Sequence, residues 1–193
     1  MKIAQQIVGV NQRLGNTAVP NMQGTTRSIF DTRGQAGTGD QTLTFFNGVS
    51  SRAYPLSNIN NNRFEVGESL AITQISVLAR VTAITNAANT LFTNLNNNLA
   101  TTTYSLILNL FIGNQRVLKD LDLNYGRVNL GESLTASAPA AFNVKLETPI
   151  VIPPQIEFYA TLRQSSSSSG AILNSTILVL SGQGTLLNTK STF

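Results

Sequence analysis

The side chains of this 193-residue chain that could do chemistry are few and widely spaced. Histidine and cysteine are absent, and only thirteen basic and nine acidic residues are present. Without imidazole or thiol, nucleophilic triads that use them cannot be assembled, and the usual zinc ligand sets are missing. What remains is carboxylate. Asp120 and Asp122 lie two apart in Asp120-Leu121-Asp122-Leu123-Asn124, a spacing that turns both toward one side of a strand. Paired carboxylates serve glycoside hydrolysis, and Asp-x-Asp-x-Asn opens a calcium loop. No glycine follows Asn124 and leucines fill the gaps, so solvent-facing alternation is the simpler account. Glu65 and Glu68 read as a turn at a strand entry. Gly34-Gln35-Ala36-Gly37-Thr38-Gly39 has no strand-to-helix setting and no following lysine, which argues against a phosphate cradle. The expectation is a non-enzyme with no cofactor, no metal and no small-molecule substrate.

Neutral polar residues fill the space that charges usually occupy: 21 Asn, 22 Thr and 17 Ser. Charged residues make up 11% of the chain, against about 25% in an average soluble domain. A surface of amides and hydroxyls repels little and hydrogen-bonds readily to neighbours, which suits a protein whose faces end against other copies. The net charge of +4 is modest and thinly spread. Apolar residues at 41% suffice for one ordinary core. No run approaches the roughly 18 apolar residues of a spanning helix, and Met1 to Val10 makes a poor secretory segment.

The elements that would position these residues are β-like. Residues 1–40 read as an arm, with Gly9, Gly15, Gly24, Gly34, Gly37, Gly39 and Pro20 and no sustained period beyond Ile3 to Val10. The arm carries Lys2, Arg13, Arg27 and Arg33, opposed only by Asp31 and Asp40. These four bases are the candidate assembly residues, facing neighbouring subunits or contacting nucleic acid through phosphates. A weakly amphipathic Ile3 to Leu14 could dock on a partner or on an internal membrane.

Residues 41–193 read as the folded domain. Thr42 to Phe46 is rich in β-branched and aromatic residues. In Glu68 to Val81, Leu70 and Ile72 sit on one parity and Ile75, Val77, Ala79 and Val81 on the other, which predicts a bulge near Gln74-Ile75; a helix is the competing reading. Asn86 to Thr103 is a long Asn- and Thr-rich loop with room for a helical turn around Leu91 to Leu95. Tyr104, Leu106, Leu108, Leu110 and Ile112 share one face, and Gly113-Asn114 makes a hairpin turn into Arg116 to Asn124. Phe142, Val144 and Leu146 alternate against Asn143, Lys145 and Glu147. Pro149, Pro153 and Pro154 bracket a short edge-like segment. Ile156 to Arg163 alternates again, Ser165 to Gly170 is a loop, and one or two strands lie in Ala171 to Leu187. About eight strands with frequent turns and no convincing helix make an antiparallel sandwich or barrel. Loops of unequal length favour Greek-key or jelly-roll connections.

Thr44 to Asn47, Tyr54 to Ile59 and Phe64 to Ile72, followed later by Leu106 to Leu123, resemble the strands of jelly-roll capsid proteins of icosahedral bacteriophages. The resemblance implies a structural virion protein: a single jelly roll of two facing four-stranded sheets plus an extended N-terminal arm. Its length fits a penton (vertex) or shell subunit that meets copies of itself and neighbouring capsid proteins through symmetric contacts. The alternative is a carbohydrate- or receptor-binding β-sandwich of a fibre or adhesin, although no tryptophan is present to stack on a sugar.

Overall fold

The computed structural model describes residues 22–34, 40–48, 56–59, 61–80, 104–123, 127–129, 140–166 and 175–187. They form nine strands: β1 (Met22–Gly34), β2 (Gln41–Phe45), β3 (Ser69–Arg80), β4 (Tyr104–Ile112), β5 (Gln115–Asp122), β6 (Arg127–Asn129), β7 (Ala140–Ile152), β8 (Phe158–Ser166) and β9 (Ser175–Leu187). No helix occurs among the described residues. One sheet has the order β1-β9-β3-β7-β6 and the other β2-β8-β4-β5. Every strand pairing is antiparallel. Setting aside the three-residue β6, successive strands cross from one sheet to the other at every step except the β4–β5 hairpin, and the last strand lies between the first and the third. That is the double Greek key of a jelly roll.

The sheets face each other because period-2 alternation gives each an apolar side. Ile29, Leu70, Ile72, Ile75, Val77, Phe142, Ile152, Leu178 and Leu180 come from the five-stranded sheet. Leu43, Phe45, Leu106, Leu108, Leu110, Phe158, Ala160 and Leu162 come from the four-stranded one. All are buried in one cluster. Full burial of each large side chain contributes roughly 1.5–3 kcal/mol. Phe158 sits between Phe46 and Phe64, with ring centroids 5.6 and 5.3 Å away, and this trio closes one end of the core.

The parity switch in β3 is a bulge. Ile72 pairs with Gly182 and Gln74 with Ser181, so two steps on β3 meet one on β9. The extra residue, Thr73, lets Leu70 and Ile72 and then Ile75 and Val77 all face inward. The bulge also presses backbone against backbone. A Cβ at Gly182 would run into the carbonyl oxygen of Ala71 and stand 2.9 Å from the nitrogen of Thr73. Glycine is required there for space rather than for an unusual φ.

Two expectations need correction. The arm does not extend to residue 40, because residues 22–34 are β1 and pair along their whole length with β9. Residues 1–21 lie outside the described residues. The prolines do not delimit a short strand: β7 runs unbroken through Pro149, at the point where its pairing with β3 jumps from Lys145 to Ile150. Of the one or two strands read in Ala171 to Leu187, the structure has one, the 13-residue β9, with glycines 182 and 184 inside it. The loop read at Asn86 to Thr103 and the amphipathic stretch Ile3 to Leu14 fall outside the described residues.

Gly182→Ala is expected to destabilise the fold by about 1–3 kcal/mol, the usual cost of overpacking. Gly24→Ala, where a Cβ meets nothing within 4 Å, should leave the urea midpoint nearly unchanged.

Candidate assembly surface

The four bases read as assembly residues divide into two pairs. Lys2 and Arg13 lie outside the described residues. Arg27 and Arg33 lie on β1, and alternation turns both inward with Ile29 and Asp31.

Arg33 and Asp31 form a buried latch. Their residues are 8% and 2% exposed. The Arg33 Nη2 and Nε atoms stand 2.8 and 3.0 Å from Asp31 Oδ2. The same oxygen accepts the backbone N–H of Phe46 at 2.8 Å, and Arg33 Nη2 also donates to Asn47 Oδ1 at 2.7 Å. Phe46 and Asn47 follow β2 directly, so one ion pair on the edge of the five-stranded sheet ties down the edge of the other. Phe46 is held at φ 57°, a left-handed conformation unfavourable for a bulky residue. The Asp31 carboxylate takes up the N–H that this conformation presents.

Arg27 closes the next layer. Its Nη1 lies 3.0 Å from Glu68 Oε2, and its guanidinium carbon sits 4.5 Å from the centroid of the Phe64 ring. It caps the Phe46–Phe158–Phe64 trio while keeping part of itself in solvent, as a long cationic side chain can. Glu68, read as a turn residue, does follow one: its N–H donates to the Glu65 carbonyl at 3.0 Å, and Gly67 has φ 80°. Neither described arginine is left as a projecting assembly contact.

Two of the four edge strands, β1 and β5, are protected. Along β1, the N–H groups of Thr32 and Phe30 donate to the Leu56 carbonyl (2.9 Å) and to Asn58 Oδ1 (2.8 Å). The Asn58 side-chain amide and the Ser57 hydroxyl donate to the carbonyls of Ser28 (2.8 Å) and Phe30 (3.0 Å). Residues 56–58 therefore cover the strand's outer rim. The pairing of β5 with β4 shifts register twice, Asp120 has φ 48°, and Lys119 is exposed. The Asp120 N–H donates to Asn109 Oδ1 at 2.9 Å. A bulged edge carrying lysine discourages strand addition. This bulge also interrupts the simple alternation expected for Asp120 and Asp122. Asn124, the third residue of the calcium-loop pattern, lies outside the described residues, and no group of three metal-ligating acidic residues occurs among the described ones.

Hydroxyls and amides recur on the outer faces, while charge gathers on the four-stranded sheet at Arg163, Arg116, Lys119 and Asp120. On the five-stranded sheet, Ser28, Ser181, Gln74 and Lys145 lie in one row across the strands. On the four-stranded sheet, Thr44, Thr161 and Asn109 lie in a row, beside Phe111 and Tyr159, whose rings stack at 4.6 Å and 7°.

Sequence reasoning missed Asp31, Asn47, Ser57 and Asn58. The signal was present for one pair: Asp31 and Arg33 are two apart, hence on one side of any strand. Asp31→Ala should cost about 3–5 kcal/mol, because it leaves a buried guanidinium uncompensated. Arg27→Ala should cost about 1–2 kcal/mol, from a partly exposed ion pair and a cation–π contact. Replacing Asp31 and Arg33 together with apolar residues should recover most of the loss. Urea denaturation of the three variants checks this ordering.

No protein-family model, curated protein or solved structure matches this chain.

Proposed function

We propose that this protein is a non-enzymatic structural subunit of a virion, a single-jelly-roll capsid protein at a vertex or in the shell. The observation that carries the reading is the strand order, β1-β9-β3-β7 facing β2-β8-β4-β5, in a chain rich in hydroxyls and amides and poor in charge. The role is geometric. The sandwich is a stiff block, and closed symmetry repeats one set of contacts around an axis. The covered rim of β1 and the bulged rim of β5 keep those contacts off these two edges, since open strand edges would add copies without limit. Residues 1–21 precede β1 and enter at its Met22 end. They are the remaining candidate for an arm that ties a subunit to its neighbours, to genome phosphates or to an internal membrane.

The carbohydrate-binding alternative draws less support. Phe111 and Tyr159 stack on each other, so the facing sides of the two rings are not offered as a platform for a sugar.

Light scattering on purified protein at rising concentration should give the mass of a closed oligomer or of a larger shell. A mass that stays at 20.7 kDa across the micromolar to millimolar range would end the capsid reading. Removing residues 1–21 should leave the sandwich folded by circular dichroism while weakening assembly at least about tenfold.

A further inference from the structure

A sandwich of two sheets has four edge strands, here β1 and β6 on the five-stranded sheet and β2 and β5 on the four-stranded one. Each edge presents a row of ladder groups that can take up another strand unless something blocks it. Residues 56–58 cover β1. Two register shifts, an exposed Lys119 and the positive φ of Asp120 interrupt β5. β6 is three residues long. Past it, β7 continues with exposed Lys145 and Glu147, and its pairing with β3 jumps from Lys145 to Ile150 across Pro149. Charge, bulges and proline are the devices that blunt an edge.

β2 has none of these devices. Gln41-Thr42-Leu43-Thr44-Phe45 is a regular ladder against β8, with no proline and no register shift, and its five residues are an ordinary strand length. It alone of the four edge strands contains no charged residue. Among the described residues, no hydrogen bond reaches Thr42 to Phe45 from outside the ladder with β8. Leu43, at the centre of the strand, is the most exposed member of the buried core cluster, at 9%.

We infer that the rim of β2 is where two copies of this chain join, by antiparallel pairing of β2 with β2 about a two-fold axis at Leu43. This contact rests on the self-assembly reading above and gives one of its interfaces a place and a symmetry. Strand addition needs an unblocked edge and an extended partner, and a two-fold contact needs a surface that complements itself. Centred on Leu43, the pairing sets Leu43 against its own equivalent, Thr42 against Thr44 and Gln41 against Phe45 of the second copy. The two threonines alternate outward from the buried Leu43 and Phe45, and opposed threonines are a favourable cross-strand pair. Like charges directly opposite are unfavourable, and none of the five paired positions carries a charge. Asp40, directly before the strand, falls opposite Phe46 and not opposite itself. A second copy also covers Leu43 from the side that β8 leaves open. One such contact consumes the rim, so strand addition here stops at two copies, and any further growth uses other surfaces.

The test is the association of four full-length proteins, measured by light scattering over a concentration series, with circular dichroism and thermal melting as folding controls. The first is the unaltered chain. The second carries Thr42→Lys and Thr44→Lys, and the third Thr42→Glu and Thr44→Glu. The fourth carries Thr26→Lys and Gln183→Lys, two exposed positions on the outer face of the other sheet. The second and third proteins, folded as before, are each expected to need at least about tenfold more protein for half-association. An equimolar mixture of the two should regain it, because lysine then faces glutamate across the axis, and the fourth should match the unaltered chain. Association of the unaltered chain with no loss in the second protein would assign the rim to some other strand and overturn this inference while the self-assembly reading stands. Equal loss in the second and fourth, or a mixture that stays apart, would do the same. An unaltered chain that remains monomeric would overturn both. If a doubly substituted protein fails to fold, Thr44→Lys and Thr44→Glu alone replace the pairs under the same criteria.

Discussion

The whole five-stranded sheet depends on where β9 goes. It lies between β1 and β3 and pairs with both along nearly its full length, so neither strand is bonded to the other except through it. Leu178 and Leu180 on this strand stand at the centre of the core. The remaining architecture follows from that insertion. The first and third strands must be held apart by one strand width, the intervening strands must cross to the opposite sheet, and β8 must deliver the chain back across the sandwich between β2 and β4. Most stabilising contacts thus join residues distant in sequence, the arrangement that makes sandwiches slow to fold relative to helical proteins.

Charge is used sparingly, and two charged side chains, Asp31 and Arg33, are buried. Arg33 and Asp31 hold the two sheet edges together beneath the surface, and Arg27 covers the aromatic end of the core with Glu68 as its partner. A buried ion pair is not a strong source of net stability. Its effect here is positional: three donors converge on one carboxylate oxygen and set where the chain turns after β2. The outer faces mix hydroxyls and amides with a few exposed charges, among them Arg163 and Lys145.

Much of this fold was legible in the residues. β2, β4, β5, β7 and β8 announce themselves by alternation and by the Gly113-Asn114 turn, and the β3 bulge is visible as a change of parity. β1 was hidden because its inward side reads Arg27, Ile29, Asp31, Arg33. Only one of these is apolar, so no hydrophobic period marks the strand, and the residues that look like a loose basic arm are interior. The residues of Ala171 to Leu187 left the strand count open at one or two, and Gly182 sits inside the single strand β9 to admit its neighbour's bulge. β6 is too short to leave a pattern, and its pairing with the start of β7 comes from tertiary position alone. The latch was out of reach for a related reason: Asn47 and Phe46 meet Asp31 only after two sheets have been stacked, and no spacing along the chain encodes that meeting.

The bulge at Thr73 has an evolutionary consequence. Its extra residue and the missing side chain at Gly182 are two halves of one fit across neighbouring strands. A relative that had lost the residue at 73 would keep the same inward faces on both halves of β3 and would be free to carry alanine or serine at 182. A relative that retained it would be bound to glycine. The residue at 182, 109 positions along the chain, should therefore depart from glycine only where the residue at 73 is lost.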